Sequence, residues 1–251
     1  MPPRKASRPT VAHLVDHYRE NQQKLQTFLL DQVRPVLVNS GELARYVHSF
    51  KWRLKEPAHL GEKLQRKIAQ ASAKKPFDIT KENLFAKIND LVGIRILHLH
   101  TRQIKEIDLL LRELFEEGRF KIIEGPFART WDDETKNFFA EIGIETRESG
   151  PSMYTSVHYV IDSNSRTRYT AEIQVRTLAE ELWAEVAHVI DYPTPCPSLA
   201  CREHIRVLAR VASGCTRLVD SIFRSFQDFQ TSGASTKPPF PFRARLRKPK
   251  R

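Results

Sequence analysis

Apolar residues recur every three or four positions in several stretches of the chain, which is the spacing that places them on one face of a helix. The pattern predicts helices that follow Thr10, start at Pro57, run over 104–115 and 178–190, and extend from about 200 to 230. Thr10 is a favourable N-cap, and Pro35 is expected to end or bend the first helix. Helical segments therefore flank the central part of the chain at both ends.

Between these helices, dense or alternating apolar runs indicate β-strands. They cover residues 46–54, 92–98, 120–123, 154–158 and 172–177. The stretch 125–152 is charged and contains Gly143, Gly150 and Pro151, so we expect a mobile flap over a site there. This order of helices and strands predicts an α+β fold with N- and C-terminal helical extensions.

Two of the predicted strands carry polar side chains at every second position. Glu172, Gln174 and Arg176 share one strand face, and Tyr154 and His158 share another. An acid, an amide and a guanidinium that point the same way line a polar cleft, and a carboxylate beside a guanidinium suits a metal-bound polyphosphate. An enzyme is therefore the leading hypothesis. The alternatives are a solvated strand face, and a core tyrosine with a structural histidine.

Further charged residues precede these strands. Arg53 and Lys55 end one strand, and Lys63 and Arg66 lie on one face of the next helix. Several cations together can bind a phosphate chain, although a solvated charged face has the same pattern. Asp90 comes just before the apolar strand 92–98. It is either a turn residue or, together with the Glu172 carboxylate, a ligand of Mg²⁺.

The chain has 251 residues and a formal net charge of +11, which indicates anionic partners such as nucleotides or nucleic acid. Three cysteines and the lack of an apolar leader or membrane span predict a cytoplasmic protein. The spacing of Cys196, Cys201 and His204 is unlike usual zinc knuckles, and Cys215 falls on the apolar stripe of the last helix, so buried thiols are favoured over a zinc site.

These patterns divide the chain into five parts. We expect a disordered basic lead at 1–9, a helical segment at 10–44, a catalytic domain at 45–193, a C-terminal helix at 194–230 and a disordered basic tail at 231–251. The tail holds six Lys or Arg residues among its last nine, so the rest of the chain is less basic than the total charge suggests.

Four polar segments follow one another in a characteristic order. They are Asp90-Leu-Val-Gly93-Ile-Arg95-Ile, Tyr154-Thr-Ser-Val-His158, Glu172-Ile-Gln-Val-Arg-Thr177 and Trp183-Ala-Glu-Val-Ala-His188. Arg53, Lys55 and Lys63 precede them and match an Arg-x-Lys-x-x-x-Ser-x-x-x-Lys signature. In this order and spacing, residues 45–193 resemble the RelA/SpoT-type (p)ppGpp synthetase domain of small stand-alone alarmone synthetases.

The resemblance implies a nucleotidyltransferase-like mixed β-sheet and transfer of pyrophosphate from ATP to the 3′-hydroxyl of GDP or GTP, which makes (p)ppGpp and AMP. It implies that Arg53, Lys55, Lys63 and Arg66 bind the ATP phosphates. It further implies that Asp90 binds Mg²⁺ and that Glu172 is a second Mg²⁺ ligand or the base for the attacking hydroxyl. The acceptor nucleotide would be bound by Tyr154, His158, Gln174 and Arg176, with Tyr154 stacking on its base.

The sequence departs from the family pattern near the expected acceptor site. Glu148-Ser-Gly-Pro-Ser152 replaces a Pro-Lys-x-Asn segment that helps to hold the acceptor, Met153 replaces a glycine, and His59 replaces the signature serine. A toxin-type relative that pyrophosphorylates the 3′ end of tRNA is therefore one alternative. A non-catalytic nucleotide- or RNA-binding regulator is another. The presence of both Asp90 and Glu172 argues against it, because a non-catalytic protein would not need both carboxylates. The apolar stripe of the last helix is compatible with a homo-oligomer.

Overall fold

The computed structural model describes residues 10–72, 74, 76–148, 153–191 and 196–232. The helices are α1 (Val11–Thr27), α2 (Arg34–Val38), α3 (Pro57–Ala69), α4 (Leu84–Lys87), α5 (Ile104–Glu117), α6 (Asp133–Glu141), α7 (Leu178–Asp191) and α8 (Leu199–Thr231). The strands are β1 (Ser49–Leu54), β2 (Val92–His98), β3 (Lys121–Thr130), β4 (Glu145–Glu148), β5 (Ser156–Asp162) and β6 (Thr170–Thr177). The predicted lead at 1–9 and nearly all of the basic tail lie outside the described residues.

The first helix begins as predicted but continues further. The hydroxyl of Thr10 caps α1 by accepting a hydrogen bond from the backbone N–H of His13 at 3.4 Å. Pro35 does not end the helix, because it stands in the first turn of α2, where its missing N–H is not needed. A π-helical segment over Phe28–Val33 joins α1 to α2.

The six strands form one mixed sheet in the order β1-β2-β6-β5-β3-β4. The pairs β2–β6 and β3–β4 are parallel, and the other three pairs are antiparallel. Helices flank this sheet, so the predicted α+β class with a mixed sheet is confirmed.

The prediction of a mobile flap over 125–152 is wrong for the part that the structure describes. Strand β3 runs on to Thr130 and is followed by α6 and β4, which complete one edge of the sheet. The sequence conceals the strand because its pairing with β5 shifts register twice, and Gly125, within the second shift, has φ +86°. A Cβ at this glycine would lie 2.2 Å from the carbonyl oxygen of His158.

The two faces of the sheet differ in character. On one face, Ile94, Ile173, Val175 and Tyr159 are buried in the main hydrophobic core together with residues of α1, α3 and α5. The hydroxyl of Tyr159 donates to Asp108 of α5 at 2.8 Å, which satisfies its buried polar atom. The opposite face carries the charged side chains and lies next to α7, so the sheet separates the core from the polar cleft.

Helix α8 packs on the rest of the molecule through its first half. Its buried residues are Ile205, Ala209, Ala212, Ser213 and Thr216, and a small apolar cluster joins this part to Trp183 of α7. Farther along, Leu218, Ile222 and Phe226 are 62%, 57% and 44% exposed. The expected apolar stripe is therefore covered only in part.

The prediction of buried thiols is also wrong. Cys215 is exposed, and Cys196 and Cys201 are half-buried. An apolar helical face indicates where packing is favourable, but not that a partner covers every turn of it.

None of the helices in the described part of the chain combines the length and the hydropathy needed to cross a bilayer.

Candidate active site

One cavity of about 750 Å³ opens on the polar face of the sheet. All ten residues singled out from the sequence line it: Arg53, Lys55, Lys63, Arg66, Asp90, Tyr154, His158, Glu172, Gln174 and Arg176. They come from β1 and the residue after it, α3, the turn before β2, β5 and the segment that enters it, and β6. The sheet therefore brings together groups that are up to about half the chain apart.

The strand register explains how the side chains of β1 and β6 meet. Arg53 lies opposite Gly93, and Gly93 lies opposite Glu172, so the three form one row across β1, β2 and β6. A Cβ at Gly93 would be 2.9 Å from Nε of Arg53. The glycine thus leaves the space in which the arginine side chain lies across β2.

Asp90 forms the charged centre of one end of the cleft. Its carboxylate accepts from Nζ of Lys55 at 2.9 Å and pairs with Nζ of Lys63 at 2.8 Å. Burial raises the pKa of Asp90, but the two ammonium groups outweigh it, so that pKa lies below its ordinary value. The hydroxyl of Tyr18, from α1, donates to the backbone oxygen of Lys55 at 2.5 Å.

Glu172 and His158 form a hydrogen-bonded pair near the middle of the cleft. Nδ1 of His158 lies 3.3 Å from Oε1 of Glu172, and the ring of Phe127 stacks on the imidazole with centroids 5.3 Å apart. Burial lowers the pKa of His158, so the ring is neutral near pH 7. Burial raises the pKa of Glu172, but the hydrogen bond from His158 and the nearby positive charge together outweigh it, so this pKa is lowered.

The pair has a defined protonation state. Because Glu172 is an ionised acceptor, Nδ1 of His158 carries the proton and Nε2 is left as an acceptor. Nε2 is buried and has no hydrogen-bond partner among the described residues. The cleft therefore holds an ionised carboxylate next to an imidazole nitrogen that can accept a hydrogen bond from a hydroxyl.

Tyr154 stands at the other end of the cleft. The expected strand over 154–158 starts only at Ser156, yet the rings of Tyr154 and His158 still lie 5.6 Å apart. Nη2 of Arg176 donates to the tyrosine hydroxyl at 2.7 Å, and its guanidinium carbon lies 4.8 Å from the ring centroid. Burial raises the pKa of Tyr154, so the phenol stays neutral.

Gln174 and Arg176 are tied to their neighbours. The guanidinium of Arg176 donates to the amide oxygen of Gln174 and lies 3.4 Å from Glu181 of α7. Arg95 of β2 donates to the same glutamate at 2.9 Å and also pairs with Glu185. These ion pairs fix α7 across the polar face of the sheet.

Asp90 and Glu172 are the two cavity-lining carboxylates that the sequence predicts as Mg²⁺ ligands. The charge of Asp90 acts to raise the pKa of Glu172, as expected for two acids close together. Mg²⁺ in proteins uses one or two carboxylates together with substrate phosphates and water. Across the residues that the structure describes, no group of three or more His, Cys, Asp or Glu side chains is arranged to hold a metal ion.

The cavity also contains residues that were not assigned to the site from the sequence. They include His59, Arg95, Arg129, His188, Asp191, Arg202 and Arg206. Arg95 interrupts an apolar strand, which is a signal that could have identified it. Arg129 was hidden in the supposed flap, and Arg202 and Arg206 lie on α8, where exposed cations look like an ordinary solvated helix face.

Solved structures share this fold. A GTP pyrophosphokinase family protein from Streptococcus pneumoniae aligns at a TM-score of 0.56 and 20% identity, over 89% of this chain and 97% of that one. Small alarmone synthetase 1 from Bacillus subtilis bound to AMPCPP aligns at 0.53 and 18% identity, over 86% and 97%. The same protein bound to its product pppGpp aligns at 0.50 and 20% identity, over 87% and 97%. At these identities the similarity establishes the fold alone.

No curated protein sequence matches the chain. The family profile described as "Region found in RelA / SpoT proteins" matches residues 52–195, which is more than half of the chain. This range contains all ten of the predicted site residues. By this match, the chain belongs to the RelA/SpoT family.

Proposed function

We propose that this protein transfers pyrophosphate from ATP to the 3′-hydroxyl of GDP or GTP, which yields (p)ppGpp and AMP. The observation that carries the proposal is the cleft itself, which places a lysine-bound aspartate at one end, an ionised Glu172 beside His158, and a tyrosine at the other end. The Bacillus subtilis structures with AMPCPP and pppGpp support nucleotides as the substrates of a cleft of this fold.

The donor is bound at the end that carries Arg53, Lys55, Lys63 and Arg66. Without a nucleotide, the two lysines neutralise Asp90. Phosphate oxygens of ATP are stronger competitors for these ammonium groups, so their arrival frees the aspartate. Asp90 would then hold Mg²⁺, which would neutralise charge on the transferred phosphates when bound. Glu172 would be its second ligand only in the alternative in which it does not act as the base.

The acceptor is bound at the end that carries Tyr154, whose ring would stack on the base. His158 offers Nε2 to a ribose hydroxyl, and Gln174 and Arg176 hold the position of the tyrosine through their hydrogen bonds. Stacking on an aromatic ring is worth about 1–3 kcal/mol per base. In this pose the ribose would lie next to the Glu172 carboxylate.

In the reaction, the 3′-oxygen of the acceptor attacks the β-phosphorus of ATP. The bond from this phosphorus to the oxygen bridging the α- and β-phosphates breaks, and AMP leaves with that oxygen. Glu172 takes the proton of the 3′-hydroxyl, for which its lowered pKa keeps it ionised at neutral pH. Most of the catalytic effect would come from alignment and from cations that neutralise phosphate charge.

The test uses the purified full chain with Mg²⁺ and ATP labelled at the γ-phosphate. GDP, GTP and deacylated tRNA are offered in parallel, and Glu172→Gln serves as the inactive control. Label on a guanine nucleotide that is lost in the variant supports the proposal. Label on tRNA alone, or on none of the acceptors, contradicts it.

Two wider expectations accompany this function. A reaction that consumes ATP and guanine nucleotides belongs in the cytoplasm, where these nucleotides are found. A homo-oligomer stays a prediction, for which the exposed apolar side chains of α8 are the relevant surface.

A further inference from the structure

We propose that Arg202 and Arg206 of α8 bind the 5′-phosphates of the acceptor nucleotide. Both line the same cavity as the donor and acceptor residues, although they lie beyond the 52–195 range that matches the family. They are four positions apart on one helix, so their side chains share a face. The inference rests on the proposed function, because it assigns phosphates to an acceptor bound at Tyr154.

The position of α8 places these arginines at the acceptor end. Nε1 of Trp183 donates to the backbone oxygen of Ile205 at 2.9 Å. These two residues form one apolar cluster, against which Met153 and Tyr154 pack. Arg206 directly follows Ile205, and Arg202 lies one helical turn before Arg206. The backbone of both arginines therefore belongs to the part of α8 against which Tyr154 packs. The donor cations are on β1 and α3, at the Asp90 end.

The charges at the two ends show which groups are available to a second polyphosphate. Lys55 and Lys63 are engaged by Asp90, and Arg176 is engaged by Glu181 and Tyr154. Arg202 has no acidic partner in the described ranges. Arg206 pairs with Glu203 at 2.8 Å, a pair that is more than half exposed and therefore weak. The α8 arginines are thus two cations that an incoming anion can claim at little cost.

The acceptor requires cations that the preceding segment does not supply. A nucleoside di- or triphosphate stacked on Tyr154 carries several negative charges on the phosphate chain attached to its 5′-oxygen. The six residues before this tyrosine, 148–153, are Glu-Ser-Gly-Pro-Ser-Met and include no Lys or Arg. Arginine forks match phosphate geometry with two parallel hydrogen bonds, so two of them on one helix face suit a diphosphate.

The experiment measures nucleotide binding, which does not depend on turnover. GDP, guanosine and ATP are titrated separately into the full chain, the double variant R202A/R206A, and the control R210A. Arg210 is an exposed arginine of the same helix that does not line the cavity. We expect the double variant to bind GDP about tenfold more weakly than R210A, with guanosine and ATP changed less than about twofold. The conservative R202K/R206K variant should recover most of the GDP affinity.

Two results would overturn the inference. One is equal GDP affinity in R202A/R206A and R210A. The other is an equal loss for GDP, guanosine and ATP, which would mean that the arginines support the wall of the cavity and not the phosphates. If the wild-type chain makes no labelled product but shows the GDP-specific loss, the proposed reaction fails and this site stands. If it makes product without that loss, the reaction stands and this site fails.

Discussion

The two faces of the central sheet are built from alternate residues of the same strands, and they serve different purposes. On β6, Ile173 points into the hydrophobic core and is fully buried, whereas its neighbour Glu172 points into the cleft and pairs with His158. Adjacent positions of one strand therefore have different roles: one stabilises the fold, and the next lines the candidate active site. This alternation lets matched substitutions on adjacent positions distinguish the two roles.

The largest contrast is expected between Glu172→Gln and Ile173→Ala. The first removes the carboxylate and should lower turnover about a thousandfold, while the free energy of unfolding changes by less than about 1 kcal/mol. The second opens a cavity in the core and should cost about 2–5 kcal/mol of stability. Denaturant unfolding and initial rates on both variants check this. Normal turnover in Glu172→Gln would remove its catalytic role.

A smaller effect is expected for Tyr154→Ala on the polar face. Loss of the stacking ring should raise the KM for the guanine nucleotide by about tenfold to a hundredfold, because stacking is worth about 1–3 kcal/mol. The KM for ATP should change far less, since the donor cations lie at the other end of the cleft. Initial rates at varied concentrations of each substrate separate the two. An equal change in both KM values would place the tyrosine outside the acceptor site.

Gly93→Ala should affect the donor end alone. The added Cβ would meet Nε of Arg53 at 2.9 Å and displace the guanidinium, so we expect the KM for ATP to rise by about fivefold to tenfold. Gly41→Ala is the matched control, because a Cβ there meets no atom within 4 Å. Steady-state kinetics on the two variants test this. If both behave like the wild type, the space above Gly93 is not needed for ATP binding.

The smallest effect on activity is expected for a group on the polar side that the proposed reaction does not use. Burial raises the pKa of Glu180 to about 8, and one of its carboxylate oxygens has no hydrogen-bond partner in the described part of the chain. Between the ordinary glutamate pKa of about 4.3 and this value, the folded state holds a proton that the unfolded state has lost, so stability falls as pH rises. Glu180→Gln should remove this slope and be more stable than the wild type at pH 8, by about 4 kcal/mol. Thermal unfolding at pH 5 and pH 8 measures it, and an identical slope in both proteins would contradict it.

The parts of the fold that the sequence predicted well are those in which one physical effect dominates. Strand β2 was bounded correctly at 92 and 98 because nearly all of its residues are buried. The ten residues that line the cavity were singled out because charged and aromatic groups on a strand at period two rarely serve an apolar core. The ordered polar segments then connected strands that are far apart in sequence.

The parts that escaped prediction depend on contacts between distant segments. Strand β3 lost its alternation at Gly125, where the pairing partner forces a shift in register. Arg202 and Arg206 are invisible as site residues until the backbone bond from Trp183 places Ile205 against the cleft. In the same way, the exposure of Leu218 and Cys215 follows from where α8 leaves the body of the molecule, which an amphipathic pattern does not encode.

The hydroxyl of Tyr18 on the backbone of Lys55 has a consequence for how the cleft responds to heat. It braces the donor end from α1, just as Ile205 braces the acceptor end from α8, and both braces lie outside the 52–195 region. The matched region 52–195 is thus held at both ends of its cleft by a hydrogen bond to a helix outside it. As temperature rises, loosening of α1 or α8 would widen the cleft. Substrate affinity would then decline at a lower temperature than the one at which the sheet unfolds.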